Sequence, residues 1–132
     1  MRQLLFSAMF GAVALVAASA HATTALQMRS YCTGVANAER HPNGRVSFPL
    51  TFQNGQCWGG FDAIQQVSRV VDGQAKRLFG ICSPPQSTLV EMVQIFVAYV
   101  DSHPTQENED WFDVASRALV RAFPCDERGE SR

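Results

Sequence analysis

The most regular pattern in the chain is an apolar stripe at Leu89, Met92, Val93, Phe96, Val97 and Val100. Steps of three and four match the 3.6-residue period, so Leu89 to Val100 reads as a helix with one inward face. Thr88 precedes it and Glu91 stands three residues later, a capping-box pattern that follows Pro84-Pro85. His103-Pro104 stops it, because the residue before a proline is pushed out of the helical region. Glu107 to Phe123 repeats the period, with Trp111, Val114, Ala115, Ala118, Leu119 and Ala122 inward. Its charges follow the helix dipole: Glu107, Glu109 and Asp110 at the start, Arg117 and Arg121 near the end. Two weaker helical segments lie upstream. Thr24 to Tyr31 has Leu26 and Tyr31 as its anchors, and Trp58 to Val71 spaces Phe61, Ile64, Val67 and Val71 along one side.

Thr33 to Gln56 differs in kind. Gly34, His41-Pro42-Asn43-Gly44, Pro49 and Asn54-Gly55 break it into turns. Val46-Ser47-Phe48 and Leu50-Thr51-Phe52 alternate like short strands, with Pro49 keeping them at an edge. So long a connection is functional, disordered or a cover whose phenylalanines Phe48 and Phe52 lie over the core, and closure by Cys32–Cys57 would argue against disorder. The pattern as a whole predicts an all-α fold: a small bundle of about four helices, with a long loop between the first two.

The first residues change the picture of where this bundle works. Met1-Arg2-Gln3 gives a basic start, Leu4 to Ala20 is apolar or small, and Ala20-His21-Ala22 offers a cleavage pattern. Residues 1–22 therefore read as a signal peptide that is removed, and the run is too short and too poorly flanked for a membrane span. A single domain over 23–125 follows, then a charged tail over 126–132 without apolar residues, expected to be disordered. Loss of Arg2 with the leader makes the net charge of −1 one unit more negative. A mildly acidic domain has no electrostatic reason to seek nucleic acid or an anionic membrane. After export it is expected in the periplasm, with no membrane contact.

All four cysteines, Cys32, Cys57, Cys82 and Cys125, follow the leader. An even number in a short exported chain predicts disulfides. The last two helices are joined by few residues and should form an antiparallel hairpin. Cys82 just before that hairpin and Cys125 just after it then lie side by side and pair. Cys32 and Cys57, flanking the long loop, form the second staple. A metal site is disfavoured, since no cysteine pair has C-x-x-C spacing and His41 and His103 stand apart from any cysteine.

Catalysis finds little support, and no cofactor is implied. Cysteines committed to disulfides leave no thiolate nucleophile. His103 at a helix end suits capping of the last carbonyls, and His41 belongs to a turn. Asp62 and Asp72 lack the pattern of opposed glycosidase carboxylates. The Gly59-Gly60 pair is not followed by the Lys and Ser/Thr of a phosphate loop, and helix packing explains it better. The protein reads as a binder, not an enzyme.

The second half resembles a known family. Ile81-Cys82-Ser83-Pro84, Tyr99 with His103-Pro104, and Ala118-Leu119 with Ala122-Phe123-Pro124-Cys125 look like the Rap/Tai-type immunity protein family. Upstream, Cys57-Trp58-Gly59-Gly60-Phe61 is similar to the family's C-x-G-[YF] segment. The resemblance covers roughly Cys57 to Cys125. It departs from the pattern at Gly60, where an aromatic residue is usual, and in the length of the 33–56 loop. It implies an all-helical periplasmic protein, of a family whose members are often homodimers, that binds and inhibits a type VI secretion effector, typically a peptidoglycan-cleaving amidase. The alternative is a general periplasmic binding or chaperone-like domain with no toxin partner. Arg45, Phe48 and Phe52 on the long loop are the candidate partner contacts, because aromatics and arginine are the usual interface anchors.

Overall fold

In a computed structural model, residues 22–74 and 76–126 are described. The leader and the charged tail fall outside them except for Ala22 and Asp126. Four helices make the bundle: α1 (Ala25–Ala36), α2 (Phe52–Val67), α3 (Leu89–Ser102) and α4 (Trp111–Ala122). A two-stranded ribbon of β1 (Glu39–Arg40) and β2 (Val46–Ser47) sits between α1 and α2, and a 3₁₀ turn (Pro104–Gln106) follows α3.

Each helix begins on a side chain that accepts from its first turn. Thr24, Thr51 and Thr88 take the amides of Gln27, Asn54 and Glu91, and Asp110 takes those of Phe112 and Asp113. At α3 the capping box is complete, with Glu91 accepting in return from the Thr88 amide. This satisfies donors that a helix start otherwise leaves unpaired.

α3 packs against all three other helices. Its Leu89, Val90, Met92, Val93, Phe96 and Val100 are buried, as the stripe predicts, while Val97 is half-buried. Phe96 meets Phe61 of α2 at 5.3 Å between ring centroids, and Phe61 in turn meets Trp111 at 5.8 Å. Gly60 lies where no side chain fits: a Cβ there would stand 2.9 Å from the Trp111 ring. This close approach accounts for the glycine at position 60. The same is not true of Gly59, whose Cβ position faces open space.

Both predicted disulfides are present, Cys32–Cys57 and Cys82–Cys125. Beside the second, the Cys82 amide donates to the Phe123 carbonyl at 2.9 Å, so the ends of the α3–α4 hairpin are stitched by backbone as well as by sulfur.

The first two helices differ from expectation at their boundaries. α1 runs on to Ala36, because Ala25, Met28, Cys32 and Val35 form its buried stripe; Leu26 is exposed and Tyr31 only half-buried. Gly34 does not break it. A Cβ at Gly34 would lie 2.4 Å from the Asn54 side chain, so the glycine is where α1 and α2 cross closely. α2 begins at Phe52 and ends at Val67, so Asn54-Gly55 is its first turn rather than a loop turn. Asn54 is buried and its Nδ2 donates to the Pro49 carbonyl at 2.7 Å. The Cys32–Cys57 bond therefore joins two helices, and the connection shortens to 37–51. Leu50 and Phe52 are not strand residues. The strand pairing falls instead on Glu39↔Ser47 and Arg40↔Val46.

α4 starts at Trp111, later than its acidic residues suggest. The Glu109 and Glu107 carbonyls are engaged elsewhere: they accept from the Ala25 and Leu26 amides at 2.9 and 2.8 Å. The α3–α4 connection thus caps the start of α1, which a helical Glu107–Asp110 would not do. Ala122, placed inward by the sequence pattern, is exposed.

Candidate functional site

The connection between α1 and α2 carries Arg45 and Phe48, while Phe52 is the first residue of α2, and the three differ in their surroundings. The hairpin of the connection turns at His41–Arg45, where the His41 amide donates to the Arg45 carbonyl at 2.8 Å and Gly44 adopts φ 79°. Positive φ is the left-handed region that glycine enters without strain. Asn43 Oδ1 accepts from the Arg45 amide at 3.0 Å, and His41 Nε2 lies 2.7 Å from Ser47 Oγ. These bonds hold the turn and leave the Arg45 side chain exposed.

Phe48 belongs to the core's edge. It is half-buried and stacks on Trp58 at 5.2 Å with rings inclined by 28°. Phe52, by contrast, is 77% exposed at the first position of α2, and its neighbour Leu50 is 97% exposed. Pro49 precedes them, and its carbonyl is held by Asn54 and by the Thr51 amide. Two large apolar side chains are thus presented to solvent on backbone fixed from within. The sequence pattern points to Phe52 but not to Leu50, whose place in an apparent strand alternation hides its exposure.

A second exposed apolar stretch follows α2. Val67, Val70, Val71 and Leu78 are exposed, and Phe79 is borderline, meeting Phe112 edge-on at 5.6 Å. The segment is a small hairpin in which Leu78 donates to the Val70 carbonyl and Asp72 to that of Lys76. Asp72 Oδ1 accepts from the Lys76 and Gln74 amides at 2.9 and 2.8 Å. Those two backbone bonds hold the Asp72 carboxyl below the usual carboxylate range. The sequence pattern places Val67 and Val71 along one side of a helix that runs to Val71. The chain instead leaves α2 at Ser68, which is buried with its hydroxyl on the Gln65 carbonyl.

The histidines have local partners. His103 Nδ1 lies 2.8 Å from the Tyr99 carbonyl, and its ring stacks on that of Tyr99 at 4.0 Å. This is the helix-end capping expected of it. Arg117 binds Glu109 across the start of α4, and that hydrogen bond raises the arginine further above its ordinary value. Among the described residues no three His, Cys, Asp or Glu side chains gather as a metal site would require. None of the described helices is long and apolar enough to cross a membrane.

No curated protein and no solved structure matches the chain. A family model does, that of the Rap1a immunity proteins, over residues 12–125. The match takes in both disulfides, all four helices and the long connection, well beyond the half that the motifs covered. The chain belongs to the Rap1a immunity protein family.

Proposed function

We propose that this protein is the periplasmic immunity partner of a type VI secretion effector of the peptidoglycan amidase class, and that it neutralises the toxin by binding it. The observation that carries the reading is the family match over residues 12–125. Two disulfides support export, since such bonds form and persist in oxidising compartments. Cells that exchange such an effector meet it in the periplasm, where the inhibitor must also be.

The contact surface in this proposal is the connection 37–51 and the start of α2. Leu50 and Phe52 supply apolar area, Arg45 supplies charge, and Phe48 anchors the connection on Trp58. Cys57 bonds the first half of α2 to α1 close behind these residues, so little freedom is lost when a partner covers them. Covering the mouth of an enzyme's cleft needs a fixed surface and no chemical group of the inhibitor's own. The homodimer implied by the resemblance belongs to the same proposal, and light scattering of the exported protein reads it.

The test is calorimetric titration of the oxidised protein into purified amidase effector. Tight one-site binding is expected. Leu50→Ala with Phe52→Ala should weaken it by about a hundredfold while leaving the melting temperature nearly unchanged, because exposed side chains act at interfaces and not in cores. Unaltered affinity in that variant would remove the connection from the contact surface. Failure to bind any amidase effector would remove the function.

A further inference from the structure

Two asparagines of the chain, Asn43 and Asn54, are each followed by a glycine. Such a pair can react with itself: the glycine nitrogen attacks the side-chain amide, and a residue without a Cβ does not hinder the approach. The fold sets the two pairs in opposite situations.

Asn54 is buried in the first turn of α2, and its Nδ2 donates to the Pro49 carbonyl at 2.7 Å. The Gly55 amide donates to the Thr51 carbonyl at 3.0 Å. Gly34 of α1 packs so closely on this side chain that a Cβ there would lie 2.4 Å from Nδ2. Both reacting groups are therefore engaged, inside a tight crossing of two helices.

Asn43, Gly44 and Arg45 are all exposed at the turn of the β1–β2 ribbon. The Arg45 amide donates to Asn43 Oδ1 at 3.0 Å. Negative charge develops on that oxygen when a nucleophile adds to the side-chain carbonyl, so the Arg45 amide is a fixed donor at a developing oxyanion. A surface cavity of about 320 Å³ opens against Asn43 and Arg45 and admits water. One bond opposes attack, from the Gly44 amide to the His41 carbonyl at 3.0 Å. It is a single bond in an exposed turn, the kind that opens locally at little cost.

We infer that Asn43 is a self-modification site, converted to aspartate and isoaspartate in the folded protein, while Asn54 keeps its amide. The Gly44 nitrogen loses its proton to water and bonds to Asn43 Cγ. The Cγ–Nδ2 bond breaks, and the leaving nitrogen takes up a proton and departs as ammonia. Water then opens the succinimide at either carbonyl, and nothing is oxidised or reduced. Both products put a new carboxylate two residues from Arg45. Isoaspartate also routes the main chain through one extra carbon, which loosens the Glu39↔Ser47 and Arg40↔Val46 pairing across the turn. The chemistry does not rest on the binding reading, although it falls on the connection that carries Arg45.

The test is peptide mapping by mass spectrometry of the oxidised protein after timed incubation at mildly alkaline pH, with a zero-time sample as background. Trypsin cuts after Arg40, Arg45 and Arg69, so residues 41–45 carry Asn43 and residues 46–69 carry Asn54 once the disulfides are reduced for digestion. In the folded protein, 41–45 should convert at least about tenfold faster than 46–69. In urea with reductant the two should convert at similar rates, so that the contrast belongs to the fold and not to the dipeptide. Asn43→Gln, an exposed change, should leave 41–45 unconverted, because the longer side chain closes the ring poorly. Equal rates in the folded protein would overturn the inference. So would an Asn43 that converts about tenfold more slowly folded than unfolded, since the turn would then protect its amide.

Discussion

Gly59 and Gly60 are neighbours in one helix, and opposite outcomes are expected from the same substitution. Gly60→Ala drives a methyl to within 2.9 Å of the Trp111 ring, which is itself packed on Phe61. Overpacking of this kind costs about 1–3 kcal/mol. Gly59→Ala meets nothing within 4 Å and replaces a poor helix former, so a gain of about 0.5–1 kcal/mol is expected. Urea denaturation of the two variants reads both signs. Phe48 and Phe52 divide in a similar way: Phe48→Ala opens the Trp58 stack and should lower the melting temperature, whereas Phe52→Ala should not. At Asp72, backbone amides favour the charged carboxylate, so its pKa in the folded chain lies below the ordinary value. Its support of the 72–76 turn is therefore complete above the ordinary carboxylate range and is lost as pH falls through the lower, folded value. An NMR titration should show the Asp72 midpoint below that of an unstructured aspartate, with the Gln74 and Lys76 amides following it. A midpoint at the unstructured value would remove the two bonds from the solution structure.

Helix α3 is the element on which the others depend, and its start can be weakened alone. Thr88→Ala removes the hydroxyl that accepts from Glu91 and unravels the capping box, for an expected loss of about 1 kcal/mol. Thermal melts of that variant against wild type measure it. The same helix was the most legible in the sequence, because six stripe positions, a cap and a His-Pro stop all agreed. The α1 and α2 boundaries were not legible, for a physical reason. Gly34 and Asn54-Gly55 carry turn chemistry locally, but in the fold they mark the crossing where Gly34 makes room for the Asn54 side chain. The advance of α4's start from Glu107 to Trp111 has the same character. The carbonyls at 107 and 109 are needed by α1, far away in sequence, and no local pattern announces that need. Residue type alone points to Arg45, Phe48 and Phe52 as contact candidates. It could not tell the stacked Phe48 from the exposed Leu50, which only packing decides.

At the scale of the whole molecule the two disulfides divide the chain into linked pairs, α1 with α2 and the ends of the α3–α4 hairpin. In the chain-entropy model, closing loops of 25 and 43 residues contributes about 3.5 and 4 kcal/mol. Domains of this size are stable by only about 5–15 kcal/mol, so Cys82→Ser should melt far below the wild type and full reduction should unfold much of the population. Calorimetry with and without reductant checks this. A Cys82→Ser variant that melts as the wild type does would show that the hairpin holds without its staple. The dependence fits a protein that is meant to act only after export, where its disulfides form. Held together in this way, the bundle keeps Leu50 and Phe52 exposed at the start of α2.

The proposed function is protection of a cell from a peptidoglycan-cleaving effector delivered to the periplasm. The most direct measurement is lysis of cells that export a purified-active amidase effector to the periplasm, with and without co-export of this chain. Rescue of growth by the wild-type chain, lost when Leu50 and Phe52 are both alanine, is the predicted result. Lysis that proceeds unchanged, in cells where the chain is exported, folded and fully oxidised, would contradict the account.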